Sequence, residues 1–201
     1  VLVAGLVFAG ITYGPGLYKK IFSGGKIKTE EELGKRAVEA FSKKDFAAFE
    51  KMTSISWSKE DWTQAFDKMS AELTEEDWKK MADREGKSVA EMKEEIKEMA
   101  EEKFQETEEK RDVLKGDFER VLADAEADGV VWSEVEFVSV DTSEIEPARL
   151  PGGKKSSTLK EGDIEVTLSH KGKNYVLLLN DCIYIPSMGW FTKDRPRWKG
   201  D

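Results

Sequence analysis

Among the side chains that could carry chemistry, Asp181 has the most unusual setting. It lies in the stretch Tyr175 to Ile185, YVLLLNDCIYI, which is otherwise almost wholly apolar. If that stretch is a regular strand, Asp181 shares a face with Leu177, Leu179, Ile183 and Ile185. A carboxyl in such surroundings has its pKa raised by desolvation, as a general base working near neutrality requires. Tyr184 could donate a hydrogen bond nearby, although strict alternation puts it on the opposite face. The competing reading is that Asn180-Asp181 forms a bulge that releases both side chains to solvent or to backbone donors. His170 stands beside a Lys-Gly-Lys turn and reads as an exposed turn residue rather than a base. With one histidine and one cysteine, Cys182, a zinc site of the nitrogen and sulfur type is not expected, nor is an intrachain disulfide. The glycine-rich, HExxH, GxSxG and CxxC patterns are also missing from the sequence. No catalytic residue, cofactor or metal is therefore assigned; Asp181 and Tyr184 stand as the alternative acid–base pair.

The element holding Asp181 is the centre of a sheet. Ile164, Val166 and Leu168 alternate with Glu165, Thr167 and Ser169, the period of a strand with one buried face. His170 to Asn174 supplies a turn around Gly172. Tyr175 to Ile185 is apolar on both faces, which predicts a central strand covered on both sides. Pro186 to Gly189 turns the chain again, and Trp190-Phe191-Thr192 returns as a short strand. An earlier strand is predicted over Val130 to Asp141, followed by a loop from Thr142 to Lys160. Arg195 to Trp198 reads as a frayed basic end.

Before the sheet come helices, announced by their caps. Thr29, Asp45, Ser58, Thr74 and Ser88 each precede a run with apolar residues on one face, and acidic residues follow Thr29, Ser58, Thr74 and Ser88 at capping-box spacing. The last of these helices is predicted to run to Lys115 and stop at Gly116, with Asp117 capping a sixth helix to Asp128. The apolar stripe Val89, Met92, Ile96, Met99 fades into Lys103, Glu106 and Lys110, which disfavours a long coiled coil. The six tryptophans read as core and rim anchors rather than a ligand cage.

The chain has 201 residues, 36% of them charged, with a net charge of −9. That balance excludes a general nucleic-acid binder, which needs a basic face for phosphate. The charge is uneven: residues 59–128 carry 24 acidic and 13 basic side chains, a net of −11. Val1 to Tyr18 carries no charge and is followed by Lys19-Lys20. It reads as a membrane anchor, its first residues lying upstream of Val1, since a span needs about 20 apolar residues. A signal-peptide core with Val7-Phe8-Ala9 before the cleavage point is the other reading. Residues 19–28 form a linker. Lys19, Lys20, Lys26 and Lys28 would put the domain in the cytoplasm by the positive-inside rule, whereas a short anchor before one domain suits an extracytoplasmic, periplasmic envelope protein.

The order of elements, with Glu31-Glu32-Leu33 to Phe41, Lys44-Asp45-Phe46-Ala47-Ala48-Phe49 and, near the end, Lys173-Asn174-Tyr175-Val176-Leu177 through Gly189-Trp190-Phe191, resembles the nuclear transport factor 2-like superfamily. The resemblance covers residues 29–52 and 117–192. It implies a cone-shaped α+β domain shared with ketosteroid isomerases, and leaves residues 58–115 as a helical insert. The fold class expected is thus α+β: an anchor over 1–18, then helices packed on a three- to four-stranded antiparallel sheet within 29–201. The superfamily hosts both enzymes and binding modules, so function must come from the site. Two expectations follow. One is a membrane-anchored, non-catalytic accessory subunit that contacts other subunits of a membrane complex, with the lipid bilayer met through residues 1–18. The other is a small-molecule binder or isomerase-like enzyme using the concave face of the sheet and Asp181.

Overall fold

A computed structural model describes residues 25–193 and 195–200. Among the described residues five α-helices precede the sheet: α1 (Glu30–Ser42), α2 (Phe46–Glu50), α3 (Lys59–Ala71), α4 (Glu75–Glu85) and α5 (Val89–Ala127). Each opens where its cap was predicted. Ser58, Thr74 and Ser88 form full capping boxes with Asp61, Asp77 and Glu91. Thr29 accepts from Glu32 N, but the Glu32 carboxylate takes the amide of Lys28 (2.8 Å) instead of closing the box.

The predicted stop at Gly116 is wrong. α5 is one helix of 39 residues, about 58 Å at 1.5 Å per residue. Leu114, Phe118, Val121 and Ala125 lie in the core at helical spacing on both sides of Gly116, so packing overrides the local cost of one glycine. Asp117 does not cap. Its carboxylate is buried mid-helix beside the guanidinium groups of Arg120 (2.7 Å) and Arg195 (3.3 Å).

The sheet has six antiparallel strands, not three or four: β1 (Glu136–Asp141), β2 (Glu146–Arg149), β3 (Lys155–His170), β4 (Lys173–Ile185), β5 (Gly189–Thr192) and β6 (Pro196–Gly200). Two strands come from segments read as loop or frayed end. β2 pairs with β3 around Pro147, a residue suited to an edge. β6 is held because Trp198 stacks on Tyr175 (5.5 Å between ring centres) and its indole donates to Asp128 (2.6 Å). β3 and β4 form a long hairpin closed by Lys171 and Gly172, both at positive φ, the geometry of a tight two-residue turn.

A double irregularity cuts that hairpin in two. The register shifts between Gly162 and Ile164 on β3, and across from it Asn180-Asp181 bulge out of β4. Below the bend β3 pairs with β1 and β4 with β6; above it β3 pairs with β2 and β4 with β5. The lower arm carries the main core, where Ile164, Val166, Leu168 and Leu177 meet Leu33, Phe41, Phe118 and Trp132. Phe41 stacks on Phe118 at 4.3 Å. The upper arm presents Leu159, Ile183 and Ile185 to Trp57 and Ala65, and Leu150 to Trp78 and Met81. The helical insert therefore covers the upper arm. Ile27, assigned above to the linker, is buried, and its carbonyl accepts from Trp190 N (2.9 Å).

The membrane-spanning architecture is corrected. Among the described residues no helix is long and apolar enough to cross a membrane; the longest, α5, is charged along its length. The anchor assigned to residues 1–18 lies outside the described residues, as does most of the linker. Neither a span nor a single-pass topology is carried into the functional reading.

The bulge makes a direct prediction. Asp181 sits at φ 50°, where a β-branched residue is strained. Asp181→Val is expected to cost about 1–2 kcal/mol, whereas Asp181→Asn should stay within about 0.5 kcal/mol of the parent. Urea unfolding of both variants checks this; equal stabilities would mean that the bulge is not formed.

Candidate functional site

The structure spends each chemically capable group of the sheet on architecture. Asp181 does not face Leu177 and Leu179. It is exposed in the bulge, its amide donating to Asp163 Oδ1 (2.7 Å) and its carboxylate paired with Lys193 Nζ (3.0 Å). The apolar surroundings expected of it are absent. Tyr184 is half-buried with its ring 5.4 Å from that of Trp190, so the two residues of the alternative pair are not brought together on one face. Asn180, released with Asp181 in the bulge reading, is instead buried and donates to the carbonyl of Arg195.

His170 is not the exposed turn residue expected. Only 3% of it is exposed, because the hairpin end folds against the turn at Trp132–Glu134. Its Nε2 lies 3.4 Å from the Val131 amide nitrogen and 3.3 Å from Glu134 Oε2, accepting from the amide or donating to the carboxylate according to its tautomer. The imidazole and the Lys171 ammonium hold the Glu134 carboxyl below its usual range. The Cys182 thiol is buried and donates to the carbonyl of Leu179 (3.3 Å), and that burial pushes its pKa far up. Among the described residues no three acidic, histidine or cysteine side chains cluster as a metal site.

Among the described residues one concavity, of about 540 Å³, lies beside Lys43, Lys44, Val130 and Trp132, and another, with an apolar floor, lies in the insert. α3, α4 and the first three turns of α5 surround a groove of about 370 Å³. Its construction follows from three amphipathic stripes. α3 turns Ala65, Trp62 and Met69 to the sheet and Phe66 toward α4 and α5. α4 buries Trp78 and Met81, and α5 contributes Ile96. Phe66, Leu73, Trp78 and Ile96 form the floor, and Ser70, Ala71 and Ala100 keep the walls low. Asp67, Glu75, Lys93 and Lys97 are its charged lining residues, two of each sign. Lys93 Nζ lies over the Trp78 ring (5.4 Å) and pairs with Glu75 (3.2 Å).

A polar latch fixes this insert to the sheet. Glu72, at the end of α3, accepts from Ser156 Oγ (2.6 Å), Ser157 N (2.6 Å), Ser157 Oγ (2.9 Å) and Thr158 Oγ1 (2.6 Å). Lys154 Nζ donates to the Glu72 carbonyl (2.8 Å) and to Asp77 Oδ2 (2.9 Å). Partial burial pushes the Glu72 pKa up, but the hydroxyls of Ser156 and Thr158, with the amide and hydroxyl of Ser157, overcome it and bring it down to about 2. Asp77 is likewise held low, by Lys154 first and then by the amide and hydroxyl of Thr74. None of this was visible in sequence, where Ser156 and Ser157 read as loop punctuation and Glu72 as one acid among many.

Comparison with known proteins returns no matching family model, curated protein or solved structure. The functional reading therefore rests on this geometry.

The latch sets a pH dependence. Glu72 has its pKa lowered on folding from 4.5 to about 2, so its contribution is complete above the unfolded value and fades as pH falls from about 4.5 to about 2. Glu72→Ala should cost about 2 kcal/mol at neutral pH, the range for hydrogen bonds to a charged group. The gap between parent and variant in urea unfolding should narrow across that acid window; a gap independent of pH would overturn the latch.

Proposed function

We propose that this chain is a non-catalytic protein-contact module and that the helical insert, rather than the sheet, receives its partner. The observation that carries this reading is the groove between α3, α4 and α5, which combines an apolar floor with a charged rim. A concave site with an apolar lining and a few charged groups is a usual place for binding. Support also comes from the sheet, where Asp181, Tyr184, His170 and Cys182 are each engaged in structural contacts and do not converge. We propose in addition that α1, α2, the end of α5 and the bent sheet form a framework of the nuclear transport factor 2-like kind. The support for that is the order of elements, and it bears on architecture alone.

The experiment places a photo-crosslinking residue at Asp67 on the groove rim, and separately at Val138, which is exposed on β1. Irradiation in native extract should give a discrete adduct from position 67. Ser70→Trp, which fills the groove from its wall, should abolish that adduct while leaving stability within about 0.5 kcal/mol, as surface changes generally do. An adduct from position 138 alone, or one that Ser70→Trp leaves intact, would move the contact away from the insert.

A further inference from the structure

We infer that the groove takes a basic amphipathic helix, laid along α3 and α5 with large apolar side chains pointing into the floor. This rests on the reading of the insert as the contact surface and adds the chemistry of what binds.

The walls define the shape. On α3 the lining residues Thr63, Phe66, Asp67 and Ser70 span i, i+3, i+4 and i+7; on α5 Lys93, Ile96, Lys97 and Ala100 repeat the same interval. Two helical faces, each two turns long, present ridges and a furrow that a third helix can enter. The low side chains at Ser70 and Ala100 allow a close approach, and an i, i+3, i+4, i+7 set of anchors is how a helix fills such a groove. An extended peptide would need an unpaired strand edge for its backbone, and the groove is bounded by helices alone.

Charge selects the sign of the partner. The two cations on the rim are already answered by the chain's own carboxylates, Lys93 by Glu75 (3.2 Å) and Lys97 by Glu94 (3.2 Å). Asp67, the other acid of the lining, has no ion pair among the described residues. Around it, residues 59–100 carry 13 acidic and 8 basic side chains, a net of −5. The field over the groove is therefore negative, and it steers and holds a helix with Lys or Arg flanking its apolar face. The same field repels nucleic acid and acidic helices.

The test uses the full chain and a synthetic probe of about 18 residues, five helical turns, with Leu on one face and Lys on the other. A twin carries Glu in place of Lys. Calorimetric titration should show the Leu/Lys helix binding, and the Leu/Glu twin at least about tenfold weaker. Ser70→Trp should abolish binding at unchanged charge. Asp67→Lys should weaken it about threefold or more and reduce its salt dependence. If the Leu/Lys helix binds Ser70→Trp as well as the parent, attraction is diffuse and the inference fails. Equal binding of the two helices also overturns it. If position 67 still crosslinks a native partner while the Leu/Lys helix does not bind, the insert remains the contact surface and only the basic-helix chemistry is wrong.

Discussion

The bend in the β3–β4 hairpin is the constraint from which the rest of the molecule follows. A β-sheet that changes direction exposes backbone groups that must find other partners. Here three of them are answered. Asp163 accepts the Asp181 amide, Thr192 Oγ1 donates to the carbonyl of Asn180 (2.8 Å), and the Lys193 amide donates to that of Asp181 (3.1 Å). Opposite the bulge, Gly162 at φ 147° lets the segment before β2 cross closely, since a Cβ there would lie 2.2 Å from the Glu144 carbonyl oxygen. The acidic residue that looked like a catalytic base is part of this hinge. Its exposure and positive φ are the means by which β4 passes from one neighbour to another.

Two arms need two covers, and α5 serves both. Its C-terminal turns pack Phe118, Val121 and Ala125 into the lower core, and its N-terminal turns carry Ile96 under α4. Between them residues 101–113 offer little to bury, and the helix is sustained by charge. Glu106 pairs with both Lys103 (3.0 Å) and Lys110 (2.6 Å), which hold its carboxyl down near 2, Lys110 acting first. Arg111 reaches Glu50 at the end of α2 (2.6 Å), and Lys59 at the start of α3 pairs with Glu101. Exposed pairs contribute little singly; those within α5 support the helix, and those to Glu50 and Lys59 tie it to its neighbours.

What could be read in advance divides by range. Caps and turns are local chemistry, and Asp45, Ser58, Thr74, Ser88 and Lys171-Gly172 open helices or turn the hairpin where expected. The alternation from Ile164 to Leu168 and the apolar run after Tyr175 located the two long strands for the same reason. The errors are where a distant partner outweighs the local signal. Gly116 fails to stop α5 because the core holds both of its flanks. β6 forms because Trp198 finds Tyr175 and Trp132. His170 is buried by a turn 36 residues before it. The Glu72 latch joins residues 84 apart, and no spacing rule connects a lone acid to a Ser-Ser-Thr run at that distance.

The groove is a consequence of α3 having to face two ways. Its Ala65, Trp62 and Met69 are drawn to the upper arm of the sheet, while Phe66 lies over the junction with α4 and α5. One 13-residue helix cannot bury both stripes completely. The latch fixes that junction: Glu72 and Lys154 tie the end of α3 and the start of α4 to β3, beside the furrow over Ile96 and Ala100. An apolar furrow is thus bordered by polar bonds.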